Sequence, residues 1–300
     1  MSTLAITGAT GFVGKRTLDL ALAAGHQVRA LTRRAQGARE GVVWVEGSLE
    51  NVDRLARLAS GADAVIHIAG VVNAPDAIGF TQGNVEGTGR MLEAAASVGV
   101  RRFVHVSSLA AREPELSQYG RSKERGESLV RQSALEWTIV RPPAVYGPGD
   151  MDMLDLFKLA KRGLALLPPS GRMSAIHADD LGRLLIALAQ SDPERLILEP
   201  DDGVGGWTHE AFSRAIGDAV GKRIRALALP RSILSIGAML DGLFRRSGAR
   251  LTPDRVAYFC HPDWVSDPAR RPSGDLWAAQ VETRQGLRET AAWYRQQGLL

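Results

Sequence analysis

Three glycines spaced three apart, Gly8, Gly11 and Gly14, separate an apolar run, Leu4–Thr7, from an amphipathic stretch carrying Phe12, Val13, Leu18, Leu20 and Leu22. No other feature narrows the fold so far. The run predicts a strand and the amphipathic stretch a helix, so the glycines mark a tight turn between them. The first glycine lets the chain turn sharply. The second lets backbone approach a bulky anionic ligand, and the third lets helix and strand pack closely. The helix N-terminus then aims unpaired N–H groups and a partial positive charge at that ligand. Thr10, Phe12 and Val13 lie in the same turn and join the glycines as candidate contacts. The alternative is a turn that binds nothing; the strand before it and the helix after it weigh against that.

Apolar runs recur at Gln27–Leu31, Val42–Val45, Ala64–Ile68, Arg102–Val106 and Trp137–Arg141, interleaved with helical patterns. Runs rich in Val, Ile and Ala alternating with helices predict a parallel sheet covered on both faces. The expected architecture is α/β, a Rossmann-type doubly wound sheet in residues 1–150. Residues 151–300 read as a smaller, interwoven α+β substrate lobe. Its helices are expected over 151–162, 178–190, 207–220, 230–246 and 283–296, with short strands near 173–177, 196–199 and 223–228.

Ser107 and Ser108 stand at the carboxyl end of the fifth run, where open α/β sheets bind ligands. A short loop leads to Tyr119 and Lys123, four apart at the start of a charged helix and so on one face. A tyrosine titrates near pH ~10, and a neighbouring ammonium lowers that value by favouring the phenolate. Such a hydroxyl can exchange a proton with a carbonyl/alcohol pair, while a serine hydroxyl orients the same oxygen. Tyrosine and lysine four apart is weak alone. It gains force from the glycine turn and the strand-end serines that precede it.

The glycine spacing, the strand-end serines and the Tyr119/Lys123 pair together resemble the short-chain dehydrogenase/reductase superfamily, in its extended and atypical branch of NAD(P)-dependent epimerase/dehydratase-like proteins. The resemblance implies that Tyr119 is the acid/base, that Lys123 holds the nicotinamide ribose and tunes the tyrosine, and that Ser108 orients substrate, with Ser107 as alternate. It implies that Asn84 pins backbone and water near the active site; helix N-capping is the rival reading for Asn84. Ala69 and Gly70, after the fourth run, let backbone lie against the cofactor. Pro142 and Val145, in the loop after the sixth run, line the nicotinamide. Ser48 and Leu49 flank the adenine, although the family commonly has aspartate at the Ser48 position. The short loop before Tyr119 favours the atypical members over a standard sugar epimerase.

In NAD-preferring folds the second strand ends in an acidic residue for the ribose hydroxyls. That slot falls on Thr32, followed by Arg33 and Arg34. Guanidinium groups without a carboxylate suit a 2′-phosphate, so NADP(H) is the expected cofactor and NAD(H) the alternative. The implied function is hydride transfer between NADP(H) and a carbonyl/alcohol substrate. An epimerase or dehydratase with retained cofactor, and a cofactor-binding sensor or assembly factor without turnover, are the alternatives.

Composition sets outer bounds. Lys and Arg total 37 against 33 Asp and Glu, and the basic residues form only doublets, so nucleic acid is not an expected partner. The single cysteine, Cys260, allows no internal disulfide or cysteine metal cluster and reads as a buried small hydrophobe. His177 with Asp179 and Asp180 reads as helix capping, not as a metal site. No leader pattern opens the chain, which makes the cytoplasm the expected location. The uncharged run Ser232–Leu240 is about half of the roughly 20 residues needed to span a bilayer. It reads as a core helix or pocket wall, with peripheral membrane contact as the lesser reading. An oligomer is compatible with all of this.

Overall fold

The computed structural model describes residues 1–191, 195–245 and 252–300. The first half of the chain alternates strand and helix: β1 (Thr3–Thr7), α1 (Phe12–Ala23), β2 (Gln27–Thr32), β3 (Val42–Glu46), α2 (Val52–Ala59), β4 (Ala64–His67), α3 (Ala77–Phe80), α4 (Gly87–Ser97), β5 (Arg102–Val106), α5 (Gln118–Gln132) and β6 (Glu136–Val140). Shorter strands and six helices follow among the described residues, from β7 (Ala144–Tyr146), α6 (Leu154–Lys161) and β8 (Leu164–Leu167) through β9 (Arg172–Met173), β10 (Ala175–His177), α7 (Ala178–Gln190) and β11 (Leu196–Leu198). The rest comprises β12 (Trp207–Thr208), α8 (His209–Val220), β13 (Arg225–Ala228), α9 (Arg231–Arg245), α10 (Pro253–Phe259), β14 (Asp263–Trp264) and α11 (Thr283–Gln296).

The chain forms two compact units. One comprises 1–142, 178–200 and 270–278; the other comprises 143–177, 201–269 and 279–300. The first holds a seven-stranded sheet in the order β3-β2-β1-β4-β5-β6-β11, parallel at every pairing. This is the expected Rossmann-type α/β sheet. Successive side chains on a strand point to opposite faces. β4 and β5 are buried at every residue, so both faces must be covered. α1 packs on α7 through the small Gly182, while α2, α4 and α5 pack in succession. Val65, Leu55, Met91, Phe103 and Ile139 lie in one buried cluster of this unit. Strand order reverses between β1 and β4, which places the glycine turn after β1 beside the segment after β4 at the switch point.

The second unit is built on short sheets, β7 with β10, β9 with β12 and β14, and β8 with β13. Its core gathers Tyr146, Phe157, Phe212, Leu287 and Tyr294. The Phe157 and Tyr294 rings meet edge to face at 5.1 Å, which anchors the last helix, α11. Cys260 is a free thiol and half-buried here, less covered than its composition-based reading expected. The helix expected over 230–246 is α9; Arg246 lies outside the described residues.

One local correction concerns the segment before α4. Residues 71–83 read as a loop, with Asn84 opening a helix. Instead α3 begins at Ala77, capped by Asp76, whose carboxylate accepts the Gly79 N–H at 2.9 Å. A π-turn over Thr81–Glu86 then joins α3 to α4. Gly83 serves close packing, since a Cβ there would fall 2.3 Å from a Val71 methyl.

Candidate active site

β1 delivers the glycine turn and β4 delivers its neighbour. Gly8 has φ +73°, and a Cβ on it would lie 2.8 Å from the Ala69 nitrogen. A Cβ on Gly14 would lie 2.0 Å from the Gly8 carbonyl oxygen, so only glycine lets α1 start this close to β1. Gly11 caps α1 without a side-chain acceptor. Thr10 and Gly11 are exposed, and Phe12 and Val13 are partly exposed at the mouth of the helix. An uncapped N-terminus over a cradle that side chains would fill fits a diphosphate.

Arg33 and Arg34 follow β2 and are solvent-exposed. Thr32 shapes their loop: its hydroxyl donates to the Arg34 carbonyl at 2.7 Å. Ser48 and Leu49 follow β3. Ser48 Oγ accepts the Glu50 N–H at 3.3 Å, and Leu49 packs where a Cβ on Gly87 would clash. These segments all leave the carboxyl ends of β1, β2, β3 and β4. Val145 stands on β7, in the second unit.

α5 carries Tyr119 and Lys123, and the two serines follow β5. Lys123 is buried, and its ammonium donates to the Val106 carbonyl at the end of β5, at 2.8 Å. The same nitrogen lies 3.7 Å from where a Cβ on Gly70 would stand. Burial lowers its pKa to about 8, with Glu127 opposing the shift. Tyr119, one turn earlier on α5, is half-buried and its ring lies 6.2 Å from Phe80.

The two strand-end serines differ. Ser107 donates to Glu127 at 2.5 Å. Ser108 Oγ accepts the Ala110 N–H at 3.2 Å and caps a short 3₁₀ turn, which leaves its hydroxyl proton for another acceptor. Pro142 accepts the Leu109 N–H through its carbonyl at 3.1 Å, tying the end of β6 to the segment after Ser108.

Asn84 sits inside the π-turn and caps nothing. Its amide donates to the Val71 carbonyl at 2.8 Å and to Ser122 at 2.9 Å, and its oxygen accepts the Val71 N–H at 2.7 Å. It therefore fixes the backbone just beyond Gly70 to the helix carrying Tyr119 and Lys123. Ser122 in turn donates to the Tyr119 carbonyl at 2.7 Å.

Sequence reading missed a buried ionic network. Glu127, fully buried on α5, takes two hydrogen bonds from Arg141, at 2.8 and 2.7 Å. Arg141 also reaches the buried Glu199, which pairs with Arg112 at 3.2 Å. Glu127 follows Lys123 by one helical turn. Beside it His67, buried in β4, bonds Thr7 at 2.8 Å and Thr88 at 3.2 Å and stacks on His105 at 5.5 Å. Burial pushes the His67 pKa down to about 3, helped by the Lys123 charge, and holds His105 well below its usual range. Both imidazoles are neutral supports beneath a cation. Among the described residues no three metal-ligating side chains converge.

A family of NAD(P)H-binding proteins matches residues 8–191, from the glycine turn to the end of α7. The chain belongs to this NAD(P)H-binding family. This match agrees with the resemblance to short-chain dehydrogenases/reductases read from the sequence. Among its relatives is the ceramide reductase of Caulobacter vibrioides, 36% identical over 309 residues, spanning 99% of this chain and 96% of the relative. Sterol demethylase protein B of Methylococcus capsulatus is 29% identical over 344 residues, covering 100% of both chains. The Bordetella bronchiseptica enzyme WbmG, solved with NAD and UDP, superposes with a TM-score of 0.75 at 19% identity, over 100% of this chain and 96% of that one. That last likeness is one of fold.

Proposed function

We propose that the chain is an NADP(H)-dependent reductase that converts a ketone on a ceramide-like lipid to the alcohol. The observation that carries the reading is the ammonium of Lys123, buried at the end of β5 against Val106 and one turn from Tyr119. A desolvated ammonium one helical turn from a tyrosine favours that tyrosine's phenolate, and groups perturbed in this way cluster at functional sites. The substrate class rests on the ceramide reductase of Caulobacter vibrioides, alike along nearly the whole chain.

In this reading the turn from Gly8 to Gly14 holds the cofactor diphosphate with backbone N–H groups. Arg33 and Arg34 take the 2′-phosphate, Ser48 and Leu49 flank the adenine, and Ala69 and Gly70 lie along the ribose. When bound, the nicotinamide supplies the hydride that adds to the carbonyl carbon. Tyr119 donates its proton to the carbonyl oxygen as the C–O double bond becomes single. Lys123 keeps that phenol acidic and bonds the nicotinamide ribose. Ser108 gives its spare proton to the substrate oxygen; Ser107 is already committed to Glu127. Asn84 holds the Val71 backbone in register with α5. Pro142 fixes the chain beyond β6.

The test is oxidation of NADPH and of NADH against ketone-bearing acylated long-chain bases, in wild type and Tyr119→Phe. The expected result is NADPH-linked turnover that falls by about 10²–10⁴ in the variant, with NADPH affinity unchanged. Unchanged turnover would remove Tyr119 from its role. An epimerase or dehydratase reading, which WbmG's complex with NAD and UDP keeps open, predicts purified protein carrying nucleotide and turnover without net change in nicotinamide absorbance.

A further inference from the structure

The helix α9 is covered on one side only. Ala238 is buried, while Ile233, Ile236, Met239, Leu240 and Leu243 are between 48% and 73% exposed. At 3.6 residues per turn these five fall within an arc of about 120°. Ser232 is the one other described side chain there. Singly exposed apolar residues are ordinary, but five along one helical face form a patch that water does not favour.

Charge indicates what covers it. Residues 222–255, which contain the helix, carry eight basic residues against Asp241 and Asp254, a net of +6. The whole chain carries +4, so the other 266 residues sum to −2. Along the sequence, the basic charge of this protein is concentrated in the segment that contains its exposed apolar helix. Between Arg231 and Asp241 the helix has no charge at all. No helix among the described residues is long and apolar enough to cross a membrane. An apolar arc on a short helix, set in a basic segment, is the pattern of a helix lying in the plane of an anionic lipid surface.

We propose that α9 docks the protein on anionic membranes, with Ile236, Met239 and Leu243 entering the headgroup boundary and Arg223, Arg225 and Arg231 meeting lipid phosphates. The inference stands independently of the reductase assignment, because it concerns where the protein sits and not what it turns over.

The experiment is co-sedimentation of the full chain with phosphatidylcholine vesicles, with and without about 30 mol% phosphatidylglycerol, at low and high salt. Wild type is expected to bind the anionic vesicles, weakly or not at all the neutral ones, and to release as salt rises. The double variant Ile236→Glu/Met239→Glu is expected to lose about tenfold or more in vesicle affinity, with melting temperature and NADPH affinity unchanged. A second variant, Arg223→Ser/Arg225→Ser, leaves the apolar arc intact and is expected to reduce binding to anionic vesicles alone. Wild type that stays in the supernatant with anionic vesicles overturns the proposal. So does a double variant that binds as wild type. A wild-type dimer that the double variant splits, with no vesicle binding, would also overturn it and assign the face to a second copy of the chain.

Discussion

Ser107, the residue after the buried strand β5, donates a 2.5 Å hydrogen bond to Glu127, a buried carboxylate on α5. The carboxylate also takes both Arg141 bonds and opposes the loss of charge on Lys123. It therefore fixes three groups that frame the site without itself reaching solvent. Glu127→Gln keeps the shape and removes the charge. Arg141 then keeps one neutral hydrogen bond to the amide oxygen and the longer contact to Glu199, and a buried cation short of its charged partner costs about 3 kcal/mol. Thermal unfolding should show this as a melting temperature lower by about 5 °C. The Lys123 pKa should fall further, moving the alkaline limb of activity to lower pH.

Lys123 itself makes opposite demands on activity and stability. Its ammonium is present below about pH 8 and lost above it, so turnover should decline as pH rises through that value. The unfolded lysine holds its proton to about pH 10.4. Between these values the unfolded chain binds more protons than the folded one, and stability rises with pH, by roughly 3 kcal/mol over the window from this group. Urea midpoints at pH 7.5 and 10 check the sign. Lys123→Met should be flatter than wild type, and a wild type that loses more stability than Lys123→Met across that range would contradict the assignment.

Gly14→Ala should be far worse than Gly25→Ala. The Gly14 Cβ would stand 2.0 Å from a backbone oxygen that cannot move without displacing β1. Nothing lies within 4 Å of a Cβ on Gly25, whose only penalty is its φ of +81°. Overpacking of this kind costs about 1–3 kcal/mol and shifts the first turn of α1. Titration with NADPH should therefore show at least a tenfold loss for Gly14→Ala, and little change for Gly25→Ala.

Arg33→Ala and Arg34→Ala test the cofactor preference. Both side chains are exposed, so folding should be indifferent to them. A charge-assisted bond to phosphate is worth about 1.5–3 kcal/mol, which predicts a rise of roughly tenfold or more in the Kd for NADPH and none for NADH. Equal losses for both nucleotides would mean that the arginines do not read the 2′-phosphate.

The sheet was legible because its strands are Val-, Ile- and Ala-rich runs punctuated by glycine, with β4 and β5 at its centre buried on both faces. β1, β4 and β5 begin and end within a residue or so of the expected positions. What escaped is what depends on distant partners. Asp76 and Gly79 read as loop residues, since neither shows that one caps a helix and that the other is passed through. Glu127 stands on a helix crowded with Glu124, Arg125 and Arg131, and nothing in that string marks it as the one facing inward toward Arg141. β8 pairs with β13 across some sixty residues, beyond the reach of local pattern. The glycine turn, the serines and the Tyr119/Lys123 pair stood out in the sequence because each is defined by short, local spacing.

The π-turn at Thr81–Glu86 has a consequence for alignment and for engineering. A turn of this type takes one residue more than an α-turn, and one residue is worth about 100° of rotation. The helix before it and the helix after it are consequently out of phase, so that Phe80 can lie beside Tyr119 while Met91 and Ala95 remain seated on the sheet. Removing any single residue from this stretch would leave a smoother helix and a dislocated one: Phe80 would swing a quarter-turn off its neighbour, and the Asn84 clasp on Val71 would open.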